Sequence, residues 1–109
     1  LVADNGTDGV LILGASTVDW QSIHRGNVVT RLLVDGEMRS PGSGASVMGD
    51  PLNALIWLAN ELSKRGHALR AGETVNTGNC LARYCFARAG QTVVADCGPL
   101  GSASANLIQ

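Results

Sequence analysis

Only one stretch of this sequence carries both the apolar period and the two end signals of an α-helix. Leu52, Leu55, Ile56, Ala59 and Leu62 recur at i, i+3 and i+4 and make one apolar face, widened by Trp57 and Leu58. Asp50 stands at the N-cap position, and Pro51 at N1, where a missing N–H is no loss. Lys64 and Arg65 fall in the last turn and Gly66 suits the left-handed position after it. The spacing predicts a helix over 51–65. Around it the chain is short-run, β-branched and cut by glycine, so a single helix has to pack on strands.

The strand signals are local. Val10-Leu11-Ile12-Leu13 lies between Gly9 and Gly14 and reads as a short buried strand. Residues 15–25 read as loop. Asn27 to Val34 is apolar and β-branched, and Asp35-Gly36 follows, the pair that type I′ hairpin turns prefer. Glu37 to Arg39 reads as a short return strand, and 40–49 as a loop leading to the helix cap. Beyond the helix, Gly72 to Gly78 reads as a strand between turns, Leu81 to Phe86 as a possible strand, Gln91 to Cys97 as a strand, and Ser102 to Ile108 as the last one. This is an α+β pattern rather than alternating βαβ.

Composition bounds the function. With 109 residues, 45% hydrophobic and 16% charged, the chain suits one domain with one core. A net charge of −1 excludes the basic excess of a nucleic-acid surface, and no apolar run is long enough to span a membrane. Three cysteines, Cys80, Cys85 and Cys97, without a CxxC pair, read as buried free thiols in a reducing compartment, which makes the cytoplasm the expected location.

Candidate chemistry is sparse. Gly42-Ser43-Gly44 before a helix invites a phosphate cradle, but it lacks the lysine and spacing of one, so an approach loop to the cap is the better reading. His24 and His67 are isolated and read as solvated. Asp4 and Asp8 are close in sequence, yet Asp4-Asn5-Gly6 is also plain turn composition.

Four blocks, in order, give the chain a resemblance. They are Val2 to Gly14 with its Asp4-Asn5-Gly6-Thr7 turn; Gly42 to Ala54 continuing through Trp57-Leu58-Ala59-Asn60; Leu69 to Val75 followed by Thr77-Gly78; and Ala89 to Thr92 followed by Ala95 to Ser102. Together they resemble the C-terminal portion of the 2-keto-4-pentenoate hydratase and 2-oxo-3-hexenedioate decarboxylase family, within the fumarylacetoacetate hydrolase superfamily.

That resemblance implies a mixed β-roll, oligomeric assembly, and a lyase of aromatic catabolism. The reaction would be hydration of 2-hydroxypenta-2,4-dienoate to 4-hydroxy-2-oxopentanoate, or decarboxylation of a related oxo-enedioate. It implies Mg²⁺ or Mn²⁺ as Lewis acid. Carried over residue by residue, Asp4 and Thr7 are the expected catalytic groups, with Asn5, Thr77, Gly78 and Asn79 facing a small 2-oxo acid. Asn79 and Asp50 depart from the family pattern. The family's three acidic metal ligands and its active-site lysine lie upstream of the matching segment, and the only lysine here is Lys64. The expectation is therefore one domain over 1–109 with the metal-binding half absent, no metal or cofactor held by this chain, and no turnover by it alone. The alternative is a non-catalytic homologue acting as a binding or oligomerising module. Either way a homo-oligomer is expected.

Overall fold

The structure is a computed structural model and describes residues 9–109. The expected readings at Asp4, Asn5 and Thr7 lie outside the described residues.

A hairpin founds the sheet. β1 (Val29–Val34) turns through Asp35 and Gly36, with φ of 50° and 80°, into β2 (Glu37–Ser43). Both central residues take the left-handed angles that make Asp-Gly the favoured pair. β3 (Thr92–Asp96) pairs with β1 on its other side, and β4 (Ser102–Asn106) pairs with β3. The order is β2-β1-β3-β4, antiparallel throughout. The expected α+β class with one main helix holds, with a four-stranded antiparallel sheet among the described residues.

The return strand runs further than its residue types suggested. Ser40-Pro41-Gly42-Ser43, read above as loop, continues β2. The proline is tolerated because this is a sheet edge. A bulge between Leu32 and Leu33 shifts the register there. Outside β2, the 80–82 segment completes the hydrogen bonding: Ser43 donates its N–H to the Cys80 carbonyl at 2.9 Å and Ala82 to the Pro41 carbonyl at 2.8 Å.

The single helix, α1 (Pro51–Lys64), forms where its end signals placed it. The Asp50 carboxylate accepts the Leu52 N–H at 2.8 Å, and Gly66 takes φ 74° beyond the C-cap Arg65. Its packing departs from the expectation. No residue of α1 is buried, and Ile56 and Trp57 face outward. The helix is anchored by its first turn, where Arg25 Nε reaches Asp50 Oδ1 at 3.2 Å.

Three expected strands are absent among the described residues. Val10 to Leu13 forms no strand among the described residues, and all four side chains are exposed. The 72–78 segment is irregular, and 81–86 makes only the bridge from Leu81 to Gly42. An apolar or β-branched run becomes a strand only where it pairs with a neighbouring strand, and among the described residues these runs form no ladder.

The core is small. Val28, Val34 and Val47 are its buried apolar residues among those described, joined by Thr30 and Ser40. Both hydroxyls are satisfied: Thr30 Oγ1 donates to the Cys80 carbonyl at 2.9 Å, and Ser40 Oγ accepts from Arg83 N–H at 3.2 Å. The three thiols, expected buried, are each half-buried.

Candidate functional site

Along the C-terminal half of α1 runs an open groove of about 1320 Å³. One wall is the helix itself, through Leu58 and Leu62. The chain leaves α1 at Gly66, and the segment after it contributes His67, Leu69, Glu73, Val75, Asn76, Gly78 and Asn79 to the lining. Val10, Leu11 and Tyr84 also line it. The unpaired apolar run near the start of the described chain therefore lines a groove instead of joining the sheet.

Two carboxamides give the groove its polar character. Asn76 Oδ1 accepts the Gly78 N–H at 3.1 Å, and Asn79 Oδ1 accepts the Leu81 N–H at 2.9 Å. These are successive side-chain-to-backbone turns of the Asx kind. Each uses the acceptor end of the amide. The NH₂ ends make no hydrogen bond among the described residues, and both side chains are exposed. Gly78 sits between them at φ 130°, a backbone angle that favours glycine, while an added Cβ would meet Val47 Cγ1 at an ordinary contact distance of 3.5 Å.

Of the residues expected at a site, Gly78 and Asn79 line this groove, while Thr77 is half-buried and is not part of its lining. Gly9, two residues after Thr7, lines it too. Sequence reasoning gave Asn76 and Glu73 no place at a site and read His67 as solvated. The available signal was the Asn-x-Gly-Asn run at Asn76 to Asn79, which is Asx-turn composition. Glu73 is engaged locally, accepting the Arg70 N–H at 2.8 Å.

The glycine loop is not a phosphate cradle. A Cβ on Gly42 would fall 1.8 Å from the Cys80 carbonyl oxygen, and one on Gly44 would fall 1.8 Å from that of Arg25. Both glycines are required by backbones that pass at contact distance. Cys80 and Cys97 are not activated nucleophiles. Burial pushes the Cys80 thiol up; burial, helped by Cys80 and Asp96, does the same to Cys97. Among the described residues no three His, Cys, Asp or Glu side chains gather as a metal centre, and no helix is long and apolar enough to cross a membrane.

No family model matches the chain. It is 37% identical over 108 residues to the 2-keto-4-pentenoate hydratase of Burkholderia vietnamiensis (strain G4 / LMG 22486), covering 99% of this chain and 41% of that protein. Over 77 residues it is 42% identical to the 2-keto-4-pentenoate hydratase of Paraburkholderia xenovorans (strain LB400), covering 71% of this chain and 29% of that one. Its fold matches 4-oxalocrotonate decarboxylase from Pseudomonas putida G7, solved with calcium and acetate and with magnesium and adipate. The TM-score is 0.75 at 30% identity, over 87% of this chain and 36% of that one. The chain thus spans well under half the length of the curated relatives it matches.

Proposed function

This chain belongs to the family of the 2-keto-4-pentenoate hydratases, and on that premise we propose that its groove is one wall of a hydratase-type site for a small 2-oxo or 2-hydroxydienoic acid. The observation that carries the proposal is that Asn76 and Asn79, whose NH₂ groups make no hydrogen bond among the described residues, line one groove with Leu58 and Leu62 of α1. The donors suit a carboxylate and its adjacent oxo or enol oxygen. Leu58, Leu62, Leu69 and Leu11 suit the hydrocarbon end. Asp4, Asn5 and Thr7 are proposed to complete the polar end, with the Thr7 hydroxyl orienting substrate or the water to be added.

The Mg²⁺ or Mn²⁺ of the family would supply Lewis-acid chemistry at the oxo-acid end. The described residues do not fit such an ion, because no ligand cluster forms among them, Glu73 is the groove's one carboxylate among the described residues, and the Asn76 and Asn79 amide oxygens already accept backbone N–H groups. The steps assigned to this chain are therefore binding and orientation. Neutral hydrogen bonds contribute only about 0.5–1.5 kcal/mol each, so the isolated chain should bind a 2-oxo acid at millimolar levels and should not turn over 2-hydroxypenta-2,4-dienoate. The likeness to a decarboxylase makes an oxo-enedioate the second substrate reading.

Titration of ¹⁵N-labelled chain with 2-oxopentanoate tests the proposal. The side-chain amides of Asn76 and Asn79 and the Gly78 amide should shift together and saturate at millimolar ligand. Shifts confined to other parts of the molecule would overturn it. A parallel titration with a six-carbon diacid separates the two substrate readings.

A further inference from the structure

The three cysteines take no part in the proposed site, and the fold brings two of them to one side chain, that of Thr30. β1 and β3 pair Arg31 with Asp96, and these two side chains form an ion pair, so they share one face of the sheet. Continuing the register by one residue sets Cys97 opposite Thr30, on the other face. Residues directly opposite in an antiparallel pair have Cβ atoms about 4.5–5.5 Å apart. Gly98 agrees with this alignment, since a Cβ there would lie 3.7 Å from the Val29 carbonyl oxygen. Cys80 reaches Thr30 from the β2 side. Thr30 pairs with Gly42, and the Cys80 carbonyl accepts both the Thr30 hydroxyl and the Ser43 N–H, each at 2.9 Å. Thr30 is only 4% exposed, flanked by the two cysteines. Burial raises both thiols, and Cys80 adds to the rise at Cys97, as neighbouring groups that would carry like charge do. Both residues are half-buried, so a small reagent can reach them. Cys85 sits apart, between the exposed Tyr84 and Phe86.

We propose that Cys80 and Cys97 form a reversible dithiol–disulfide site, closed by a small-molecule disulfide of the oxidised-glutathione class. One cysteine, as its thiolate, attacks a sulfur of the small disulfide. A mixed disulfide forms and one small thiolate leaves, taking up the proton that the cysteine lost. The second cysteine then gives up its proton and attacks the protein sulfur of that mixed disulfide, releasing the second small thiol. Two protein thiols are thereby oxidised to one disulfide, and the small disulfide is reduced to two thiols. Neither cysteine is activated alone, so selectivity comes from proximity: an adduct on either is resolved by the other before a second small thiol arrives. The bond would join the 80–82 segment, which hydrogen-bonds to β2 through Ser43 and Ala82, to the end of β3. Cys80 directly follows Asn79, so closing the bond also tethers the last turn of the groove to the sheet. The pairing itself is independent of what the groove binds, because neither cysteine lines it.

The test is incubation of the reduced full chain with oxidised glutathione in mildly alkaline native buffer, then alkylation of the remaining thiols and trypsin digestion without reductant. Cleavage after Arg70, Arg83 and Arg88 leaves each cysteine in its own peptide, 71–83, 84–88 and 89–109. Peptides 71–83 and 89–109 should be recovered joined, with at least about tenfold less of either joined to 84–88, the margin that a preset geometry readily supplies. Dithiothreitol should separate them. In the oxidised chain the Leu81 and Ala82 amides should exchange at least about tenfold more slowly, because local opening of the segment is then restrained. Glutathione adducts on Cys80 and Cys97 without joined peptides, equal joining to the Cys85 peptide, or the same joined pair forming as readily in concentrated urea would each overturn the proposal. The last of these would assign the bond to chance encounter in the unfolded chain.

Discussion

At the residue scale the most constrained positions are those where two backbones nearly touch. Gly42 is one: its neighbours are the Cys80 carbonyl and, at 2.5 Å from an added Cβ, Thr30 Oγ1. Gly42→Ala should therefore part β2 from the 80–82 segment and cost about 1–3 kcal/mol or more, read as a lowered urea midpoint. Asp50 is constrained electrostatically. The Leu52 N–H, and then the Arg25 guanidinium, hold its carboxyl below its ordinary value of 3.8. A lowered folded pKa means stability that is fully present above the unfolded value and is lost as pH falls through the folded one. Melting temperature should accordingly drop as pH falls below about 4, and Asp50→Asn should flatten that dependence. The cap was legible in the residues because a cap is a contact over two positions. The need for glycine at Gly42 was not, because the atom that forbids a Cβ lies 38 residues away at Cys80.

At the element scale, α1 and the β1–β2 turn formed where local signals placed them, and the runs at 10–13, 72–78 and 81–86 did not become strands. A helix satisfies its own hydrogen bonds; a strand borrows them from a neighbour. The same distinction separates the existence of α1 from its packing. Leu55 is only half-buried, so Leu55→Ala should cost about 1–2 kcal/mol rather than the 2–5 of a fully buried leucine. Equilibrium urea unfolding of the variant measures this, and a cost above about 3 kcal/mol would show that the helix is covered more deeply than described.

At the scale of the whole molecule, a small sheet carries one under-covered helix, and the groove between that helix and its return segment collects two amide donors. Replacing Asn79 by Asp puts a carboxylate where an anion is proposed to sit. Affinity for 2-oxopentanoate should fall at least about tenfold, the equivalent of 1.4 kcal/mol, with the Asn79 turn to Leu81 N–H preserved; nuclear magnetic resonance titration checks both. Residue order alone determined the helix, its caps, the Asp-Gly hairpin and, through four ordered blocks, the family. These are short-range patterns or direct letter matches. Only tertiary structure decided that Gly78 and Asn79 share a groove with Leu58 and Leu62, that Thr77 does not line it, and that Asn76 joins them. It also decided that Ile56 points outward and Val10 to Leu13 pair with nothing. Which face of an element is covered, and which edge finds a partner, depends on segments distant in the chain, and no local pattern encodes their arrival.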